Sequence, residues 1–176
     1  MIERVNIEDY AELIQKELRR GILLNTNGDK FNSMVIGWGH LGILWNTPTF
    51  VVYVRDSRYT KPQLDMTGEF TVSIPLSGPD PKIAKVLGSM SGRDTDKVKE
   101  AGLTLHAPLV NSTPGIAEYP LTVECRVLYS QKEELAKIPK EIRDRFYPEN
   151  GALHDSSDDP HTMYVGEILD SYIIRG

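Results

Sequence analysis

The chain has 176 residues, and its 40% hydrophobic and 26% charged residues are ordinary proportions for a single globular domain, which we predict to span residues 1–176. A net charge of −5 and a pI near 5.4 disfavour nucleic-acid and anionic membrane partners, so any bound anion must be held by a local cluster of donors. Cys125 is the only cysteine, which excludes an internal disulfide and a cysteine-rich metal or iron–sulfur site.

The apolar pattern predicts a mainly β domain with short helices. An amphipathic helix is predicted over residues 8–19, and Gly21 ends it. Residues 21–26 and 31–38 predict two strands joined by a hairpin turn at Asn27-Gly28-Asp29, because Asn and Gly tolerate the positive φ of such turns. Further strands are predicted over residues 49–55, 70–74, 119–129 and 163–174.

Four more short helices are predicted near residues 60–67, 81–89, 94–101 and 139–146. Because most strands are not separated by regular helices of about 10–15 residues, the order favours an antiparallel barrel over a parallel doubly wound sheet. Residues 148–160 are rich in Asp and Ser and predict a mobile surface loop. Cys125 alternates with polar residues in a predicted strand, which favours core packing over a reactive thiol.

Residues 37–42 read Gly-Trp-Gly-His-Leu-Gly and match the G-x-G-x-x-G dinucleotide fingerprint letter for letter. That fingerprint requires a helix whose N-terminus faces the pyrophosphate. Here Pro48 would break such a helix, and a strand is predicted beyond it. We therefore reject a Rossmann site.

The first anion-binding candidate lies at the end of the strand over residues 49–55. Arg55, Ser57, Arg58, Tyr59 and Thr60 place two guanidinium groups and three hydroxyls directly before a predicted helix, with Thr60 as its expected N-cap. Such donors at a helix N-terminus can bind a phosphate. A solvated, salt-bridged turn explains the same residues equally well.

A second candidate is formed by Ser91, Gly92 and Arg93, which precede a predicted helix start. Lys97 lies in the first turn of that helix, where the helix dipole disfavours a cation unless it faces an anion. A solvated helix end remains the alternative.

A third candidate is the strand that begins at Phe31. Asn32, Met34, Ile36 and Trp38 share one face if this strand is regular. An amide, a thioether and an indole on one face can contact a flat aromatic ring, or they can simply line a barrel.

Six segments occur in one order that resembles the flavin reductase-like, FMN-binding split-barrel family, flavoredoxin-like members included. They are residues 32–39, 45–48, 54–60, 70–73, 91–97 and 161–168, and the resemblance extends over about residues 8–174. It implies an antiparallel, six-stranded split β-barrel of Greek-key type that forms a homodimer and binds FMN non-covalently.

The resemblance also assigns roles by position. It implies that Asn32, Ser33, Met34 and Trp38 line the isoalloxazine ring, and that Gly39 also belongs to the FMN site. Arg55, Ser57, Arg58, Tyr59 and Thr60 would bind the phosphate. Ser91, Gly92, Arg93 and Lys97 would close the other side, with Lys97 near the phosphate or a flavin carbonyl.

Histidine and acidic residues between 154 and 161 raise two further questions. The resemblance places His161 near the flavin, although His154 competes for that role. Together with Asp155, Asp158 and Asp159 they are also of the types that bind metals, but such residues are common in polar loops and no metal is expected.

The resemblance implies three functions. The first is an NAD(P)H-dependent flavin reductase, with NADH or NADPH as electron donor and hydride passing through N5 of FMN; no catalytic residue is assigned. The second is a flavoredoxin-like electron-transfer protein with a redox protein partner and no NAD(P)H turnover, and the third is a flavin-free binding module. Because the sequence lacks both a signal-peptide pattern and a membrane-spanning apolar run, we expect a cytoplasmic protein.

Overall fold

The computed structural model describes residues 1–151 and 157–176, and within them the chain is mostly β. The strands are β1 (Ile2–Arg4), β2 (Ile22–Asn27), β3 (Phe31–Ile36), β4 (Gly39–Leu44), β5 (Thr47–Arg55), β6 (Glu69–Ile74), β7 (Leu105–His106), β8 (Gly115–Ile116), β9 (Leu121–Lys132) and β10 (His161–Ile174). The helices are α1 (Ala11–Leu18), α2 (Thr60–Thr67), α3 (Pro81–Ser89), α4 (Lys97–Ala101) and α5 (Lys140–Phe146), with short 3₁₀ turns at Ile7–Tyr10 and Leu135–Lys137.

One antiparallel sheet forms the body of the fold. Its strand order is β3-β2-β6-β9-β10-β5-β4, with β1 paired to the far end of β10, while β7 and β8 form a separate two-stranded pair. Because β3 and β4 each pair on one side only, the sheet is not closed. The predicted split-barrel class is confirmed, and all six predicted strands are present.

The long central strands curve the sheet around its core. The pairing of β10 with β9 shifts register between Val165 and Gly166 and again between Ile168 and Asp170, and such irregularities bend a strand and increase its twist. At Gly166 a side chain would lie 2.5 Å from Cζ of Phe70, so the absence of a Cβ lets this ring pack against the backbone. The bends therefore let one sheet enclose much of its own core.

Two apolar clusters stabilise the domain. The larger lies inside the curved sheet and includes Phe50, Val52, Phe70 and Cys125, all fully buried. Burial raises the pKa of the Cys125 thiol well above its usual value, so the predicted core role is confirmed. The smaller cluster packs α3 and α4 against the outer side of β2 through residues such as Leu23.

Several element boundaries differ from the sequence prediction. The strand predicted to reach Trp38 ends at Ile36, and residues 39–44 form the unpredicted strand β4. Residues 37–42 thus lead into a strand, which confirms the rejection of a dinucleotide fingerprint. The helix predicted from residue 94 begins only at Lys97, because Asp96 caps it by accepting a hydrogen bond from the Lys99 N–H.

The predicted surface loop over residues 148–160 is described only at its two ends. There Asp159 is buried rather than exposed, because its carboxylate is bound by Ser57. His154 lies outside the described residues. The longest helix in the described part of the chain is the nine-residue α3, and no helix there can cross a membrane.

Candidate functional site

A cavity of about 310 Å³ lies between the edge strand β3, the turn from β5 to α2, and the connection from α3 to α4. These three segments carry most of the predicted site residues. The predicted residues on its wall are Asn32, Met34, Ser57, Arg58, Tyr59, Thr60, Ser91, Gly92, Arg93 and Lys97. The fold therefore brings together the three candidate segments that the sequence singled out separately.

A smaller cavity of about 160 Å³ adjoins the first, since Met34, Val35 and Arg58 line both. The further predicted residues on its wall are Trp38, Arg55 and His161. The two adjoining cavities form one site that extends from the edge strand β3 to residues of β5 and β10. Polar and charged groups concentrate in the larger part, and aromatic rings border the smaller part.

Ser33 and Gly39 are the two predicted residues that line neither cavity. The Ser33 hydroxyl donates to Oδ1 of Asn25 at 2.7 Å, so it points away from the site. Gly39 is extended, and a side chain there would lie 2.6 Å from the carbonyl oxygen of Val51. Both residues hold the walls of the site rather than facing into it.

Lys97 is buried at the boundary between β3, α3 and the larger cavity. Its Nζ donates to the carbonyl oxygens of Ser33, at 2.9 Å, and Leu87, at 3.2 Å. No carboxylate of the described residues pairs with it. Burial, and secondarily the charge of Arg58, lower its pKa to about 8. An ammonium group held only by carbonyls is poorly compensated, which favours an anion next to it.

The three predicted arginines are used differently. Arg55 donates to the carbonyl oxygens of Asp159 and Phe146, both at 2.9 Å, and so holds two loop segments together. Arg93 donates to the carbonyl of Ser57 at 3.0 Å. The guanidinium of Arg58 makes no hydrogen bond or ion pair with residues 1–151 or 157–176, although it lines both cavities. Arg58 is therefore the arginine best placed to bind a ligand.

The turn from β5 to α2 is held in place by side-chain contacts. Asp159 accepts hydrogen bonds from the backbone N–H of Ser57, at 2.8 Å, and from its hydroxyl, at 2.6 Å. The Tyr59 hydroxyl donates to Asp29 in the β2–β3 turn at 2.7 Å, and the Arg93 guanidinium lies 5.4 Å from the Tyr59 ring centre. These contacts fix the backbone that carries Arg58.

Thr60 is not the N-cap that the sequence predicted. Tyr59 occupies that position without a side-chain cap, and Thr60 is the first residue of α2. The Thr60 hydroxyl instead accepts a hydrogen bond from Nδ2 of Asn32 at 3.0 Å, which ties α2 to the edge strand.

Asn32 leaves one polar atom unsatisfied. Its Oδ1 is buried and has no hydrogen-bond partner among the described residues. Buried acceptors are usually satisfied, so this one suits a donor on a bound molecule. A side chain at Gly92 would overlap this oxygen and lie 2.9 Å from Cδ1 of Tyr59, so only a glycine leaves the space open.

His161 is the first residue of β10 and lies on the wall of the smaller cavity. Its ring centre lies 4.7 Å from that of Trp38, and Phe146 packs edge-on against the same indole at 5.3 Å. Burial is the main cause that lowers the His161 pKa to about 4, and Arg55 adds to it. The imidazole is therefore neutral at neutral pH.

Other residues on the cavity walls were not predicted. They are Leu87, Gly88, Ser89 and Met90 at the end of α3, Asp94 in the α3–α4 connection, Val35 and Gly37 on and after β3, and Tyr53 on β5. The apolar spacing of α3 indicates only a helix face packed on the core, so the sequence carries no signal that its last turn faces a cavity. Within the described residues, no group of three or more His, Cys, Asp or Glu could hold a metal.

Comparison with known proteins identifies a matching family and several solved structures with a similar fold. Residues 18–176 match the family described as flavin reductase like domain. The fold is similar to an FMN-binding domain of a flavin reductases-like enzyme from Shewanella baltica, with a TM-score of 0.67, 15% identity, and coverage of 98% of this chain and 77% of that chain.

Two further solved structures are similar. Flavoredoxin from Methanosarcina acetivorans is 26% identical, with a TM-score of 0.64 and coverage of 89% of this chain and 69% of that chain. The NADH:FAD oxidoreductase of Streptomyces globisporus is 16% identical, with a TM-score of 0.61 and coverage of 98% of this chain and 87% of that chain.

Gly88 and Gly92, the two glycines that line the larger cavity, give a matched test of its geometry. Gly92→Ala should lower the free energy of unfolding by about 1–3 kcal/mol, because the new methyl group overlaps Asn32. Gly88→Ala should instead raise it by about 0.5–1 kcal/mol, since the methyl group has room at 3.8 Å from Val35 and α3 gains helix propensity. Urea unfolding measures both, and equal effects of the two variants would contradict the tight approach at Gly92.

Proposed function

Because the chain belongs to the flavin reductase-like family, we propose that it binds FMN non-covalently and works as an NAD(P)H-dependent flavin reductase. The observation that carries this proposal is the convergence of β3, the β5–α2 turn and the α3–α4 connection on one cavity that holds Arg58 and Lys97. An acidic chain can bind an anion only at such a local cluster of donors.

The residues on the cavity wall fit the two ends of FMN. Arg58 and Lys97 supply cations for the phosphate, with the backbone of the β5–α2 turn beside them. Asn32 offers an unsatisfied acceptor for a donor of the ligand, while Met34 and Trp38 supply soft and aromatic surface for a planar ring. When bound, FMN supplies a ring that takes hydride from a nicotinamide and passes electrons onward.

The chain's own residues bind and orient in this mechanism. In our proposal Ser33, Gly39 and Arg55 support the site indirectly, because their contacts hold β3, β4 and the loops that surround it in place. Ser57, Tyr59 and Arg93 fix the turn that presents Arg58. Thr60 positions Asn32, and Ser91 and Gly92 form the facing wall.

A second candidate function is electron transfer without NAD(P)H turnover. It is favoured by the 26% identity to a flavoredoxin, which is higher than the identity to the reductase from Streptomyces globisporus. A protein redox partner would then replace the nicotinamide as the electron donor.

The absorbance spectrum of the protein reconstituted with FMN, taken before and after anaerobic NADH and NADPH, separates these functions. We expect bound-flavin bands that bleach within seconds of adding one of the nucleotides. Bands that bleach only with dithionite would support electron transfer instead. No flavin binding at all would contradict both functions.

Arg58→Ala provides the mutational arm of that experiment. Losing a charge-assisted contact to phosphate should weaken FMN binding by about 10–100-fold. Arg19→Ala, which removes an exposed arginine beyond the end of α1, is the control and should leave the affinity unchanged.

The affinity for FMN should also depend on pH through Lys97. Its pKa in the free protein is about 8, and a neighbouring phosphate favours the ammonium form and raises that pKa. Above pH 8 the protein must therefore take up a proton in order to bind, so the affinity should fall by up to about tenfold per pH unit. Fluorescence titration with FMN measures this slope.

Two controls identify the groups responsible for the pH dependence. Lys97→Met should bind FMN more weakly but lose the slope, because the titrating group is gone. Riboflavin, which lacks the phosphate, should show a smaller slope with the unmodified protein. An affinity for FMN that stays constant from about pH 7 to about 9.5 would place Lys97 away from the phosphate.

We further propose that the chain forms a homodimer through the tip of the β4–β5 hairpin. The hairpin patch, defined as Ile43, Leu44, Trp45 and Tyr129, exposes apolar side chains beside the unpaired edge of β4, and Ile43 and Trp45 are 62% and 63% exposed. Exposed apolar patches and open strand edges are common at protein interfaces.

Trp45→Glu should convert the dimer to a monomer in sedimentation velocity, because it places a charge in the centre of the patch. Met66→Glu is the matched control, since Met66 is equally exposed at 62% but lies on α2 outside the patch. A monomeric unmodified protein, or equal effects of the two variants, would contradict the role of the patch.

A further inference from the structure

Three polar side chains from separate parts of the chain form a hydrogen-bonded series beside the smaller cavity. Glu133 follows β9, Tyr147 follows α5, and His161 begins β10. The Tyr147 hydroxyl lies 2.6 Å from Oε2 of Glu133 and 2.8 Å from Nδ1 of His161. The backbone N–H of His161 also donates to Glu133, at 3.3 Å. None of these contacts was predicted from the sequence.

The direction of the two bonds follows from the number of protons available. A tyrosine hydroxyl has one proton, and a carboxylate only accepts, so Tyr147 donates to Glu133. Burial and Glu133 both raise the pKa of Tyr147, which keeps the hydroxyl protonated. The oxygen of Tyr147 must then accept from His161, whose Nδ1 therefore carries the proton.

The charges around His161 keep the ring neutral. Burial and the guanidinium groups of Arg55 and Arg58 disfavour the imidazolium, and they outweigh Asp159 and Asp56, which favour it. The Glu133 carboxylate also lies 3.7 Å from Nδ1, on the same side as the Tyr147 hydroxyl. With a neutral ring and a proton on Nδ1, Nε2 is a hydrogen-bond acceptor.

The free nitrogen opens toward the cavity. Nε2 of His161 has no hydrogen bond with any described residue. It is also not one of the fully buried unpaired atoms, so part of its surface is accessible. The ring lies against Trp38 and lines the smaller cavity, so the cavity is where Nε2 is accessible. Tyr53 and Arg58 line the same cavity and carry donors.

We propose that Tyr147 and Glu133 are positioning residues that hold His161 in the Nδ1–H tautomer, so that Nε2 accepts a hydrogen bond from an amide N–H of the molecule bound in the smaller cavity. A primary carboxamide combines N–H donors with a carbonyl acceptor, and so matches a wall that offers both an acceptor and donors. Under the proposed function, on which this ligand assignment rests, the amide is the carboxamide of the nicotinamide.

The tautomer is measured directly by long-range ¹H–¹⁵N NMR of the imidazole rings at neutral pH, with His161→Gln to assign the signal. We expect His161 to be neutral with its proton on Nδ1. A proton on Nε2, or a charged ring, in the unmodified protein would overturn the proposal. This measurement needs neither flavin nor NADH.

Two substitutions of Glu133 distinguish positioning from general support of the fold. In Glu133→Ala the Tyr147 hydroxyl loses its acceptor and turns its proton to Nδ1, so His161 should change to the Nε2–H tautomer. Glu133→Gln retains an acceptor oxygen and should preserve the Nδ1–H tautomer. If His161 has the same tautomer in both variants, Glu133 does not position it.

Tyr147→Phe removes the middle of the series, and Tyr172→Phe is its matched control. Tyr172 is another buried tyrosine whose hydroxyl donates to a buried glutamate, Glu124 at 2.8 Å, but it does not contact His161. Only Tyr147→Phe should release His161 from a single tautomer. An unchanged His161 spectrum in Tyr147→Phe would overturn the role of Tyr147.

Steady-state kinetics with NADH then tests the ligand assignment. Tyr147→Phe and Glu133→Ala should raise KM for NADH by about five- to tenfold with FMN affinity unchanged, and Glu133→Gln should restore it. Changes of tautomer without a change in KM would overturn the nicotinamide assignment. A protein that shows the expected tautomers but never oxidises NADH would refute the reductase function and leave the positioning role supported.

Discussion

The buried ammonium group of Lys97 is the contact on which the geometry of the site depends. An edge strand leaves backbone carbonyls without partners, and Lys97 binds one of them, on Ser33, together with the carbonyl of Leu87 near the end of α3. The same group thus links the edge strand β3 to α3, and these two elements form two walls of the larger cavity. These hydrogen bonds give the ammonium group acceptors, but they do not neutralise its charge, because both acceptors are uncharged carbonyls. The nearby Arg58 is also positively charged and adds repulsion.

The sequence identified most of the residues that line the two cavities, because they lie in short, local segments of polar and charged residues. The donors at residues 55–60 and 91–97 and the strand face at Asn32 and Met34 could each be identified without knowing the fold. The direction in which each side chain points could not be predicted from these segments. The Ser57 hydroxyl is of a type that can bind a phosphate, yet it donates to Asp159, which is 102 residues away in the sequence. No local sequence pattern predicts that contact.

The missed features share a physical cause, which is dependence on distant partners. Strand β4 contains glycines and a histidine and has little intrinsic strand propensity, but pairing with β5 makes it a strand. The last turn of α3 lines a cavity only because the fold brings β3 and the β5–α2 turn, both distant in the sequence, to the other walls of that cavity. Tyr147 and Glu133 likewise acquire a role only when the connection between β9 and β10 brings them to His161.

The charge distribution connects ligand binding to stability. The chain carries a net charge of −5, yet Arg58 and Lys97 lie together at one cavity, where burial and, secondarily, repulsion by Arg58 lower the Lys97 pKa. An anion placed between them removes that repulsion and satisfies the uncompensated ammonium group. Its binding energy therefore acts on the folded state alone, because the unfolded chain does not hold these residues together. The proximity of two cations, which is electrostatically unfavourable by itself, is therefore also the feature that would favour an anion at this site.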